Sequence, residues 1–164
     1  MPIIFNTILR EADFPLTDVR LIRHKDNRAA RGRTPYELWR DNCPQFERYQ
    51  STQSIPNRKK LTAPYWAVFI ANLNEETMFA GIYAVRYRGL LEHDTPKPRM
   101  DGLDEAGSGD VYDLRLQDTL SDLIGKLFID WGRGALAWVQ YANRNDKPLT
   151  ELRVAFQDPL FLAS

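Results

Sequence analysis

The sequence predicts an α+β domain built on a mixed or barrel-like β-sheet, with a few short helices in its first third. Three observations predict it. The stretch Pro64 to Arg88 reads as two apolar, aromatic and β-branched runs, Tyr65 to Ala71 and Thr77 to Arg88, around a polar turn of Asn72, Asn74, Glu75 and Glu76. Further short strand-like runs follow it, and the helix signals cluster before residue 50. Runs with no polar face are covered on both sides, so the hairpin is the centre of the sheet.

Asn6 is placed to cap a first helix, Thr7 to Ala12, with Ile8 and Leu9 inward, and Pro15 ends it. Asp18 to His24 reads as a strand whose alternation breaks between Leu21 and Ile22. Thr34 is an N-cap, Pro35 sits at the first helical position and Glu37 completes a capping box, for a helix that stops near Asn42. Pro44 starts a second short helix carrying Phe46 and Tyr49. Gln50 to Ser54 reads as a polar loop, and Asp94 to Gly109 as a long surface loop rich in Pro, Gly and Asp. Val111 to Leu116 alternates as a strand, and Leu120 to Ile124 is a helical turn. Lys126 to Trp131 is a strand that Gly132-Arg133-Gly134 turns back onto Ala135 to Tyr141, and Leu149 to Phe156 is the last strand.

At 164 residues, 43% hydrophobic, the chain reads as one domain, 1–164, with a real core. No apolar run approaches bilayer length, and Met-Pro-Ile-Ile-Phe-Asn lacks the features of a signal peptide. A single cysteine, Cys43, forms no internal disulfide and fits a reducing cytoplasm. No ligand set at zinc spacing and no triad pattern around His24 or His93 is present, so neither metal, cofactor nor catalytic residue is expected.

The net charge of zero divides unevenly. Residues 1–62 carry twelve Lys/Arg against seven Asp/Glu, and residues 63–164 ten against fifteen, leaving +5 and −5. The basic half permits a polyanion partner. Arg23, Lys25, Arg28, Arg31 and Arg33 form one cationic stretch, which reads either as a phosphate-contacting arm or as a solvated loop. Arg58, Lys59 and Lys60 form a second. Gln50 and Ser51 open a run of uncharged polar residues that could offer hydrogen bonds to a base edge or could simply connect. Tyr65, Trp66, Tyr83, Tyr87, Trp131 and Trp138 lie on or beside predicted strands and could wall a stacking pocket or be core. Asp130, at the end of an apolar strand, could accept from an exocyclic amine or cap a turn. Gly81-Ile82-Tyr83 followed by Tyr87-Arg88-Gly89 imitates a GIY-YIG nuclease signature, but its two halves are too close together.

The strings Arg23-His24-Lys25-Asp26-Asn27, Thr34 to Asn42, Phe46 to Gln53, Tyr65-Trp66-Ala67 and Ile129-Asp130-Trp131-Gly132 resemble the N-terminal domain of bacterial proteins that carry a GIY-YIG nuclease downstream. By arrangement that domain is similar to the SRA, EVE and related PUA-like modules of modification-dependent restriction enzymes. The resemblance implies a cytoplasmic reader of double-stranded DNA that flips a modified cytosine, 5-methyl or 5-hydroxymethyl, into an aromatic pocket. Tyr65, Trp66, Trp131, Asp130, Gln50 and Ser51 would form the base pocket. Arg23, Lys25, Arg28, Arg31, Arg33, Arg58, Lys59 and Lys60 would hold phosphates. The cutting domain would be a fused or associated nuclease, so this chain is expected to bind and not to cleave. The alternative is a protein-interaction module that positions a nuclease without reading a base; it predicts an exposed apolar patch and no salt-dependent DNA binding.

Overall fold

A computed structural model of the 164-residue chain describes residues 3–25, 34–42, 50–72, 76–92, 95–98, 104–105, 107–131, 139–144 and 147–152. Its elements are α1 (Phe5–Glu11), β1 (Val19–His24), α2 (Pro35–Asn42), β2 (Thr52–Gln53), β3 (Tyr65–Ala71), β4 (Thr77–Leu90), β5 (Lys97–Pro98), β6 (Asp104–Glu105), β7 (Asp110–Leu116), β8 (Leu127–Ile129), β9 (Val139–Tyr141) and β10 (Leu149–Leu152). Short 3-10 segments lie at Leu16–Asp18, Ile55–Lys60, Ser121–Leu123 and Ala142–Arg144. The fold is α+β, a curled half-barrel of mixed sheet with a few short helices.

The hairpin is the centre. β3 and β4 pair antiparallel from Tyr65↔Ala84 to Ala71↔Thr77. The other edge of β3 holds β1 in parallel, Val19↔Tyr65 to His24↔Ile70. A parallel neighbour needs a long crossover, and residues 25–64, which include α2, supply it. β4 is 14 residues long. Its second edge meets β8 at Thr77 and Met78, then β7 from Tyr83 to Leu90. The main path is β10-β8-β4-β3-β1-β9, with β7 carrying β2 beside it.

Because successive side chains on a strand face opposite ways, the sheet buries two separate clusters. Trp66, Val68 and Ile70 of β3 join Ile22, Leu38, Tyr83 and Tyr112 on one face, where α2 lies. Tyr65, Ala67 and Phe69 turn to the other face, among Phe5, Leu9, Phe79, Ile82 and Trp131, where α1 lies. There Phe69 packs against Phe5, Phe79 and Trp131 with ring centroids 5.1, 5.7 and 5.7 Å apart. β1 lies between β3 and β9 with both faces covered, which accounts for adjacent apolar Leu21 and Ile22.

Gly81 and Gly89 sit at irregularities where β4 has an extra residue relative to its partner. Their φ values of +114° and +131° lie where side chains are rarely found. The GIY and YRG triplets therefore belong to one continuous strand, each with its glycine at a bulge.

Several local expectations are corrected. The first helix starts at Phe5, its N-terminus has no side-chain cap, and Asn6 is instead buried and donates to the Ala142 carbonyl at 2.6 Å. Thr52 and Gln53, expected in a loop, form β2 against Val111 and Asp110. β9 pairs with β1, not with β8, whose partners are β10 and β4. Within the expected 94–109 loop, β5 pairs with β6. The capping box holds: the Glu37 N–H donates to Thr34 Oγ1 at 3.1 Å. The expected helix from Pro44 and the turn at residues 132–134 lie outside the described residues.

Candidate functional site

Alternation along β7 places Asp110 on the same face as Tyr112 and Leu114, with no solvent exposure. A carboxylate there must be paired. Arg58 supplies a fork: Nε donates to Oδ2 at 2.9 Å and Nη2 to Oδ1 at 2.5 Å. The Tyr87 hydroxyl donates to Oδ1 at 3.0 Å. The guanidinium lies 5.3 Å from the centre of the Tyr87 ring. Tyr87 stands directly opposite Tyr112 at 5.3 Å, and Tyr112 meets Trp66 at 4.9 Å. A ladder of rings thus runs from the buried core to Tyr87, which is 45% exposed and is the one aromatic among the exposed large hydrophobic side chains of the described residues.

The charges follow the geometry. The Arg58 guanidinium holds the Asp110 carboxyl below its ordinary range, with the Tyr87 hydroxyl acting the same way and burial opposing. Arg58 is raised in turn, mainly by its bond to Asp110. Burial, then the bond to Asp110, raises Tyr87. Burial, then the nearby Asp110 charge, pushes Tyr112 up to about 12. The segment Ile55–Lys60 that carries Arg58 also exposes Lys59 and Lys60. Arg20 ties its end to β1 by donating from Nε to the Lys60 carbonyl at 2.9 Å.

Beside this segment lies a cavity of about 80 Å³. Ile22 and Val139 give it apolar wall. Arg23 and His24 reach it from β1, Thr52 and Gln53 from β2, and Ser54, Asn57 and Lys97 complete the lining. His24 is buried, which lowers it to about 4 against the raising effect of a hydrogen bond with Gln50. Its imidazole is therefore neutral at pH 7. Arg23, also buried, lies 5.6 Å from the Trp131 ring centre, and Lys147 lies 5.2 Å from the same ring. Lys147 donates to the Trp131 carbonyl at 2.7 Å and is lowered, first by burial and also by Arg23, with Asp130 opposing.

The residues singled out in the sequence divide three ways. Arg58, Lys59 and Lys60 share one exposed segment, and Arg23 lines the adjacent cavity. Lys25 follows β1 and is half-buried. The aromatic set is not brought together. Trp66 is fully buried in one cluster, its indole N–H meeting no acceptor, while Trp131 is 2% exposed in the other. Tyr65, next to Trp66 in sequence, points to the Trp131 face and packs against Phe14 at 5.2 Å. Asp130 is exposed at the end of β8. The Gln50 side chain is buried against His24, and Ser51 is half-buried, so the Gln50 amide is not presented to solvent. Arg28, Arg31, Arg33 and Trp138 lie outside the described residues.

Tyr87 was marked in the sequence only as one of several strand aromatics, and Asp110, Asn57 and Lys97 were not marked at all. The signal for Asp110 was present: stepping back by two from Tyr112 puts a carboxylate on the apolar face of its strand. Nothing local pointed to its partner Arg58, 52 residues away. Among the described residues there is no cluster of three or more His, Cys, Asp or Glu fit to hold a metal, and no helix long and apolar enough to cross a membrane. No protein-family model matches the chain, nor does any curated protein or solved structure.

Proposed function

We propose that this chain is a DNA-binding specificity module, the sensor part of a modification-dependent restriction system whose nuclease is a fused or associated domain. The observation that carries the reading is Arg58 held against the exposed ring of Tyr87 by buried Asp110, with Lys59 and Lys60 beside it. A guanidinium fixed by a carboxylate meets a phosphate or a guanine edge with little ordering cost. An exposed ring stacks on a base whatever its identity. The curled sheet and the sequence resemblance support a PUA-like reader. Recognition of 5-methyl- or 5-hydroxymethylcytosine rests on the resemblance alone, and stacking in this reading passes from the buried Trp66 and Trp131 to Tyr87.

The test measures binding to matched duplexes with and without 5-methyl- or 5-hydroxymethylcytosine at two salt concentrations. Binding at low salt should weaken with salt at a log–log slope of about −3 if Arg58, Lys59 and Lys60 each meet one phosphate. Tyr87→Ala should weaken it and Tyr87→Phe should not, since phenylalanine keeps the ring. Equal, negligible affinity for every duplex at low salt defeats the proposal; equal, salt-dependent affinity removes only the modified base from it.

A further inference from the structure

β4 leaves the core part-way along its length. Thr77 to Tyr83 are buried, whereas Arg86, Tyr87 and Arg88 are exposed. β3 accompanies it only as far as Ala84, and the Val85 N–H donates to the Pro64 carbonyl at 2.9 Å. Beyond that bond no strand among the described residues lies on this edge, and β7 alone holds the other. Alternation sends Tyr87 to the face of Tyr112 and Asp110, and Arg86 to the opposite face. Asp113 stands directly across from Arg86, and Arg115 is a diagonal neighbour of Arg86, about 7–8 Å away. Arg88 comes to the same face, where its Nη1 donates to Asp113 Oδ1 at 3.2 Å. Of the two carboxylates on β4 and β7, Asp110 faces the other way and Asp113 is taken by Arg88, so Arg86 and Arg115 keep their charges exposed in solvent. The half of the chain that carries them is acidic in sum, so a general surplus of cations does not explain the cluster.

We infer that this edge of β4 enters a groove of duplex DNA, with Arg86 and Arg115 meeting the phosphates of one wall while Arg58, Lys59 and Lys60 meet those of the other. A sheet with side chains on both faces is about 10 Å thick, and the major groove is about 12 Å wide. A groove is bounded by two phosphate strands, and cations on the two faces of one edge give each strand its own partners. Guanidinium forks bind phosphate oxygens two at a time, and those of Arg86 and Arg115 stand far enough apart to take one phosphate each. Charge and the bulge at Gly89 also discourage the edge from pairing with another sheet, a role that requires no DNA and that the experiment separates. The inference rests on the DNA reading proposed above and adds a second backbone contact to it.

The experiment measures the salt dependence of binding to one duplex and to one of its separated strands. On the duplex, the wild-type log–log slope should be steeper by about 2 than the value of about −3 expected of Arg58, Lys59 and Lys60. Arg86→Gln combined with Arg115→Gln should remove that increment and weaken duplex binding about 50-fold near 0.1 M salt. Each substitution alone should remove about half of the increment, which serves if the double variant fails to fold. Arg86→Lys combined with Arg115→Lys keeps the charge and should keep the slope. Lys126→Gln, just before β8 by the other end of β4, should leave it unchanged. Single-strand binding should change little in the glutamine variants, since a lone strand held at Tyr87 brings no second backbone. An unchanged duplex slope in those variants, or an equal change on duplex and single strand, overturns the inference and leaves the DNA reading standing. Glutamine variants that bind as the wild type does but self-associate assign the arginines to edge protection, which overturns it as well. No binding to any duplex at low salt defeats both the inference and the reading beneath it.

Discussion

Acid should destabilise this fold through His24. The imidazole is 3% exposed, and burial lowers it from 6.5 to about 4 despite its bond to Gln50. Between those values the unfolded chain binds a proton that the folded chain refuses. Stability is therefore fully present above pH 6.5 and drains as the pH falls, levelling off below pH 4. The gap between 6.5 and about 4 is worth about 3 kcal/mol, of which about half is gone by pH 5.5. The comparison is with His24→Gln, which keeps an amide near Gln50 and does not titrate. Urea unfolding at pH 7, 5.5 and 4.5 gives the free energy of each protein. The wild type should lose about 2–3 kcal/mol more than the variant between pH 7 and 4.5. Parallel pH dependences would refute the reasoning, because His24 would then titrate alike in the folded and unfolded chain.

The two bulge glycines should differ. A Cβ at Gly81 would meet Leu116 Cδ1 at 2.7 Å and Ile124 Cδ1 at 3.3 Å, while one at Gly89 would meet nothing within 4 Å. Gly89→Ala should cost about 1 kcal/mol of backbone strain and Gly81→Ala about 2–3 kcal/mol, strain and clash together, by urea unfolding; equal costs would contradict this geometry. Asp110→Asn should lower the titration of Tyr112 from about 12, since the carboxylate charge adds to the effect of burial there. Ultraviolet absorbance titration of the tyrosines should show two phenols, Tyr112 and Tyr87, moving toward their ordinary values, and an unchanged curve would speak against the Asp110 network.

The sequence by itself determined the elements whose cause is local. The hairpin β3–β4 follows from two apolar runs around a polar turn, and α2 from Thr34, Pro35 and Glu37 acting within one helical turn. That β1 is covered on both faces is legible in adjacent Leu21 and Ile22. Even the separation of Tyr65 from Trp66 was available, since neighbours on a strand cannot face the same way. Tertiary structure alone decided the rest. β9 lies beside β1 because strand order follows from how faces close over a core, and period-two patterning carries no partner's address. Gln50 is drawn inward by His24, and Asp110 is satisfied by Arg58 from 52 residues away. A buried polar group must find its hydrogen bond wherever the folded chain supplies one, and that supplier is chosen by space, not by sequence distance.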